Sequence, residues 1–248
     1  MRRIFVPPVV MQGDIINITD ADDITYLSSV LRMKVGDELY VSDGFSRACE
    51  GKIKEICKSG ILVDIMREMP LEDAGGPQIT LYQGLPKGAK MDEIVRKATE
   101  LGVYCIIPVI TARVDGSGAS RTLSPAKLGR LRRIAEEASR QSHRPRIPEV
   151  KDCIGFEEAL AGLGAGAYDL LLVLFELEET RTLKQALRAA SGLAHIGVFV
   201  GPEGGFEEME IKRLVSNGAI SVTIGETILR TETAGPAAIA MIIYEYGL

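Results

Sequence analysis

The spacing of apolar positions changes character once along the chain, near residue 77. Before that point the pattern predicts a strand over 3–6 and a helix over 20–33, with Ile24, Leu27, Val30 and Leu31 at helical spacing. Short strands then follow over 39–41, 48–56 and 61–65, separated by Ser42-Asp43-Gly44 and Lys58-Ser59-Gly60 turns. Residues 1–70 therefore read as a small β-rich domain, and Pro70, Gly75, Gly76 and Pro77 mark 71–77 as a linker. From Gln78 onward, apolar strands over 79–82, 105–110, 169–175, 196–200 and 220–224 alternate with amphipathic or small-residue helices. Among these is an arginine-rich helix over 124–141 with Ser124 at its N-cap and Pro125 in its first turn. Strand–helix alternation of this kind predicts an α/β fold with a mostly parallel sheet covered on both faces, spanning 78–248.

Two turns stand out within that second domain. Gly201-Pro202-Glu203-Gly204-Gly205 follows an apolar strand and opens a helix near Phe206. Ile228-Leu229-Arg230-Thr231-Glu232-Thr233-Ala234 follows the next strand, which ends at Ile224 and Gly225. Both fall at carboxyl ends of strands, the edge at which open parallel sheets bind ligands, and Leu174-Phe175-Glu176 ends a neighbouring strand as a third wall. Gly201, Gly204 and Gly205 let backbone groups approach a ligand, or they simply make a tight strand-to-helix turn. Thr233 is expected to cap the last helix with Pro236 in its first turn. Glu207, Glu208 and Glu210 are expected only to favour the N-terminal turn of their helix.

Composition narrows the class. In 248 residues, 46% hydrophobic, no apolar run approaches the roughly 20 residues of a membrane span. The start, Met1-Arg2-Arg3-Ile4-Phe5, leads into prolines rather than a secretory apolar stretch, so a soluble cytoplasmic protein is expected. Cys49, Cys57, Cys105 and Cys153 are scattered, with only His143 and His195 to assist, which indicates neither a metal site nor a disulfide frame and suggests reduced core thiols. The net charge of -5 conceals a basic middle: residues 87–146 hold 13 Lys or Arg against 6 Asp or Glu. Such a run is either a footprint for a polyanion or a solvated helix face. With no Trp and 5% aromatics, extensive base stacking is not expected.

Several cofactor signatures fail on context. Gly162-Leu163-Gly164-Ala165-Gly166 follows a helix and precedes a strand, the reverse of a pyrophosphate cradle. No G-x-x-x-x-G-K-[ST] motif occurs, and neither histidine lies in a turn that resembles a nucleophile–base site.

The two turns together, Gly201 to Phe206 and Leu229 to Ala234, resemble the RsmE family of SPOUT methyltransferases, which methylate N3 of a uridine in 16S rRNA. The resemblance extends to Arg3-Ile4-Phe5-Val6, Val30 to Asp37 and Asp43-Gly44 in a PUA-like RNA-binding domain. It continues through Lys87-Gly88, Lys97 to Val103, and Glu137-Ala138 through Gln141-Ser142 to Arg144 and Pro148. His143 departs from the family pattern, which has Gly or Ser-Gly there. The resemblance implies a deep trefoil knot, a homodimer, no metal, and S-adenosyl-L-methionine held by Leu174, Phe175, Glu176, Gly201, Pro202, Glu203, Gly204, Gly205, Ile224, Gly225, Ile228, Leu229, Thr231, Thr233 and Ala234. The target it implies is 16S rRNA within the small ribosomal subunit.

Methyl transfer needs the uracil nitrogen held in line with the methyl carbon, and the N3 proton must leave. Arg230 is the expected cation for the uracil anion and Glu232 the candidate base, unless the two merely pair to brace the loop. Arg3, Arg32, Lys87, Arg132, Arg133, Arg140, Gln141 and Arg144 are the expected RNA contacts, arginine suiting phosphate because its planar fork donates two bonds. Two alternatives remain at this point: a non-catalytic ribosome-binding factor, and an enzyme of the same superfamily acting on transfer RNA or at another atom.

Overall fold

The computed structural model describes residues 2–11, 13–71, 75–114, 123–164 and 166–246. Residues 72–74 of the expected linker and Ala165 of the glycine-rich connection lie outside that set. The chain forms two compact units, residues 1–73 with 139–147 and residues 74–138 with 148–248. The stretch 139–147 thus belongs with the small unit, although it lies far inside the 78–248 region in sequence.

The small unit is a five-stranded sheet. Its strands are β1 (Arg2–Phe5), β2 (Ile15–Ile18), β3 (Glu38–Ser42), β4 (Ala48–Cys57) and β5 (Gly60–Met69), in the order β1-β3-β4-β5-β2. The first pair is parallel and the others antiparallel. Ile4, Ile16, Leu39, Val41, Ile53, Ile61 and Val63 point to one buried face, as period-2 alternation requires. Strand β2 was not anticipated, and the expected helix over 20–33 is shorter: α1 (Ala21–Thr25) passes into a π-helical turn over Tyr26–Val30. Leu31 N–H bonding to Tyr26 O is the wide i to i+5 spacing of that turn.

A connection between β3 and β4 is fixed from within. The Asp43 carboxylate accepts backbone N–H bonds from Phe45 at 2.8 Å, Ser46 at 2.7 Å and Arg47 at 2.9 Å, and the Ser46 hydroxyl at 2.6 Å. Burial pushes its pKa up, but those bonds outweigh burial and hold it below the ordinary value. Asp43→Ala, which orphans three N–H groups, is expected to destabilise the small unit by about 2–3 kcal/mol in denaturant titration. Because the folded-state pKa is depressed, this stabilisation is present above the unfolded pKa of about 4 and disappears as pH falls through the folded value.

The larger unit is built on β6 (Gln78–Gly84), β7 (Cys105–Ile110), β8 (Glu149–Val150), β9 (Ile154–Gly155), β10 (Leu170–Leu174), β11 (His195–Val200) and β12 (Ile220–Val222). The order is β12-β10-β11-β6-β7-β8, with β9 also beside β7, and every pairing is parallel. All five residues of β10 are buried, the continuous apolar run of a strand covered on both faces. One face carries α2 (Lys90–Glu100), α5 (Leu183–Arg188) and α7 (Thr231–Tyr246), with α7 packed on α2, α5, β6 and β11. The other packs α4 (Phe156–Ala161) and α6 (Glu208–Ser216) around Tyr82 and Phe199, whose rings stack at 4.2 Å. The remaining helix is α3 (Pro125–Gln141), where Ser124 Oγ accepts the Lys127 N–H at 3.3 Å, the expected cap.

One helix start and one carboxylate differ from expectation. Helix α7 begins at Thr231, so Thr233 is already inside it and Pro236 lies beyond the first turn. The helix is capped three residues earlier, at Arg230, whose O accepts both the Thr233 and Ala234 N–H groups, at 2.8 and 2.9 Å. Glu210 does more than favour a helix dipole: its carboxylate accepts the Ala112 N–H at 2.8 Å and the Glu207 N–H at 2.9 Å, tying the segment after β7 to α6.

The cysteines are free among the described residues. Cys49 and Cys105 are core thiols that burial pushes up to about 11 and about 12, whereas Cys57 is exposed, which corrects the expectation that all four are core. No described helix is long and apolar enough to cross a membrane.

Candidate active site

Parallel registration brings four strand ends together. Leu174 sits opposite Val222, Val173 opposite Phe199, and Val200 opposite Gln83, so the segments after β10, β12, β11 and β6 emerge at one edge of the sheet. They enclose a cavity of about 540 Å³. Its walls are Leu174, Phe175 and Glu176; Gly201 through Gly205; and Ile224, Gly225, Ile228 and Leu229. Arg230, Thr231, Glu232, Ala234 and Lys90 also line it. Of the cofactor-site residues expected from sequence, Thr233 alone is not on the lining; it is an exposed residue in the first turn of α7.

The first turn is held from below. Gln83, fully buried, donates from Nε2 to Thr231 Oγ1 at 2.9 Å, and Thr231 Oγ1 donates to Gly201 O at 2.6 Å, which fastens the two turns to each other. Gly205 has φ +68°, a left-handed conformation that favours glycine, and a Cβ there would strike the Glu176 carboxylate. Arg113 Nη1 donates to Gly204 O at 2.7 Å.

Lys90, at the start of α2, was missed by sequence reasoning. Its Nζ lies 2.8 Å from Glu203 Oε1 and 3.9 Å from Glu232 Oε2, between the two turns. The hydrogen bond to Glu203 raises the Lys90 pKa. Burial would raise Glu203, yet bonds from Lys90 and from the Lys87 N–H at 3.0 Å hold it below the ordinary carboxylate value. Glu232 is mostly buried, with a side chain 12% exposed, and its Oε2 has no hydrogen-bond partner. The Arg230 and Glu232 side chains share no ion pair among the described contacts, and Glu232 faces Lys90 instead. Val200, Val222, Thr223, Glu226 and Thr227 also line the cavity without having been singled out.

The expected RNA contacts separate into several groups. Arg32, Lys87, Arg133 and Gln141 are exposed. Arg132 is tied to Val150 O at 3.0 Å and to Asp152 at 3.2 Å, and Arg140 to Asp23 at 3.3 Å. Arg3 lies 4.4 Å over the Tyr40 ring and donates to His143 O. Arg144 is buried, 7% exposed, so it is not offered to solvent as the sequence suggested. The basic middle therefore spends part of its charge on internal pairs. His143, the departure from the family pattern, takes φ +58° in this segment. No group of three or more potential metal ligands occurs among the described residues.

Comparison with known proteins adds the family. A profile described as an RNA methyltransferase domain matches residues 75–243, and one described as an RNA methyltransferase PUA domain matches residues 18–66. Ribosomal RNA small subunit methyltransferase E of Bacillus subtilis is 32% identical over 239 residues, covering 90% of this chain and 88% of its own. Its Synechocystis counterpart is 31% identical over 97% of this chain and 76% of its own. The crystal structure of the Neisseria gonorrhoeae enzyme bound to S-adenosyl methionine superposes with a TM-score of 0.79 at 30% identity, covering 98% of this chain and 97% of that one. With its parallel-sheet unit, its β-rich unit and these matches across both, the chain belongs to the ribosomal RNA small subunit methyltransferase E family.

Proposed function

We propose that the chain transfers a methyl group from S-adenosyl-L-methionine to N3 of one uridine in the 16S rRNA of the small ribosomal subunit. The observation that carries this reading is the single cavity formed by both glycine-bearing and Arg-Thr-Glu turns, in a chain similar to a solved relative that holds the same cofactor. The cavity volume of about 540 Å³ falls in the range of small-molecule sites. The residues present fit the group: backbone of 201–205 and 224–229 is available to an adenosine, and the unpartnered Glu232 Oε2 with Lys90 beside it suits a polar, charged ligand or substrate.

S-adenosyl-L-methionine, when bound, supplies a methyl carbon attached to a positively charged sulfur. The chain's own residues do the rest. Leu174 and Phe175 keep water from one side of the cavity, and the fastened turns fix the angle of approach. Glu232 accepts the N3 proton, and the Arg230 guanidinium stabilises the resulting uracil anion. Lys90 serves Glu203 and Glu232 as a shared counter-ion.

The rest of the reading follows the family resemblance. Residues 1–70 act as the RNA-binding domain, 71–77 as linker and 78–248 as the catalytic domain, although 139–147 packs with the first. The course of α7, from the edge strand β12 back to β6 and β11, is compatible with a trefoil knot. Met241 and Tyr244, 41% and 79% exposed on α7, suit a homodimer contact. The place of action is the cytoplasm.

The test is methyl transfer from labelled cofactor to small subunits that lack the modification, followed by nucleoside mass spectrometry. The expected product is 3-methyluridine at one rRNA position. Methylation confined to transfer RNA, or cofactor binding with no methylated uridine, would overturn the acceptor assignment.

A further inference from the structure

We propose that Phe45 is a stacking platform for one unpaired base of the RNA substrate, with the Arg146 guanidinium beside it for the adjoining phosphate; this rests on the rRNA methyltransferase reading. Phe45 lies between β3 and β4 and is 50% exposed. Its backbone is fixed from two directions. Asp43 gathers the N–H groups of the turn, as described above. From the other side the segment 144–147 closes on it. The Ser42 hydroxyl donates to Pro145 O at 3.1 Å and accepts the Gly44 N–H at 2.8 Å, while Gly44 O accepts the Ile147 N–H at 2.9 Å. Arg146 Nη1 donates to Phe45 O at 3.2 Å. Gly44, at φ +78°, leaves room for the Ile147 side chain, whose Cδ1 would stand 2.5 Å from a Cβ.

This bracing does not bury the ring. It fixes the backbone from which a half-exposed ring projects, which lowers the entropy cost of stacking on it. Charge selects the occupant. Within 140–146, Arg144 is buried and Arg140 is tied to Asp23, so the cation beside the ring is Arg146, and its charge favours a phosphate-bearing chain over an apolar peptide. A single aromatic stack with a neighbouring guanidinium is a common way to hold an unpaired base, since every base has a π-face.

The chain has no tryptophan, so Phe45→Trp introduces a unique fluorophore. The expected result is saturable quenching of that indole on adding small-subunit RNA, with methyl transfer retained. Phe45→Ala is expected to lower kcat/KM for the RNA about 10- to 100-fold, as loss of one base–aromatic stack does, with cofactor affinity and thermal unfolding unchanged. An indole unquenched by RNA in an active enzyme would overturn the proposal. So would quenching that rises with protein concentration in the absence of RNA, which marks contact with a second copy. Full activity of Phe45→Ala beside an active wild-type protein would sink this inference alone, whereas a wild-type protein that labels no small-subunit RNA would remove the functional reading and this inference with it.

Discussion

Arg230→Ala is expected to lower kcat for methyl transfer about 100- to 1,000-fold while S-adenosylmethionine affinity changes little. The magnitude is that of removing one preorganised charge from a site where negative charge develops in the transition state. The structure separates this role from a bracing one. Arg230 is exposed at the cavity wall, and its contribution to the start of α7 is made by its carbonyl, which alanine also has. Loop geometry should therefore survive the substitution. Single-turnover rates with saturating cofactor, beside calorimetric cofactor binding, separate the two effects. Equal turnover in the variant would sink the assignment. A fall in cofactor affinity matching the whole loss of rate would show that Arg230 holds the loop.

The sequence exposes the parts of this site that are encoded locally. The run Leu170–Leu174 reads as a strand because every position is apolar, and the fold buries all five; Gly201 to Gly205 reads as a tight turn because the backbone there needs glycine. Partners brought in by strand order are not legible. Gln83 and Lys90 reach the site because β6 pairs with β11, more than a hundred residues away, and nothing in the spacing near residue 83 announces that neighbour. The return of 139–147 to the small unit is hidden for the same reason. Its arginines look alike in sequence, yet the fold buries Arg144 and pairs Arg140 with Asp23. Helix ends fail more locally: Thr233 reads as the cap of the last helix, but Arg230 O takes the first N–H bonds and the Thr231 hydroxyl is claimed by Gly201 O, so the helix already runs at Thr233.

Gly84→Ala is expected to weaken S-adenosylmethionine binding about 10- to 100-fold, although residue 84 does not line the cavity. Gly84 ends β6 directly beneath the first turn. A Cβ there would lie 2.5 Å from both the N and the Cδ of Pro202, and 2.9 Å from the carbonyl carbon of Gly201. Two of these atoms are backbone, and the third belongs to a proline ring with almost no freedom, so no rotamer change relieves the clash. The turn must lift from the sheet. Lifting it pulls Gly201 O away from Thr231 Oγ1, and the strap that joins the two turns is lost with it. Overpacking of this kind costs about 1–3 kcal/mol, which corresponds to the stated loss of affinity if the shift falls on the cofactor loops. Gly129→Ala is the matched control: the residue is exposed in α3, nothing lies within 4 Å of its Cβ position, and the substitution should stabilise by about 0.5–1 kcal/mol with binding unchanged. Calorimetry on both variants, beside thermal unfolding, distinguishes a displaced turn from a general loss of stability. Wild-type affinity in Gly84→Ala would mean that the turn yields without consequence, and that the strap from Gln83 through Thr231 does not set the shape of the site.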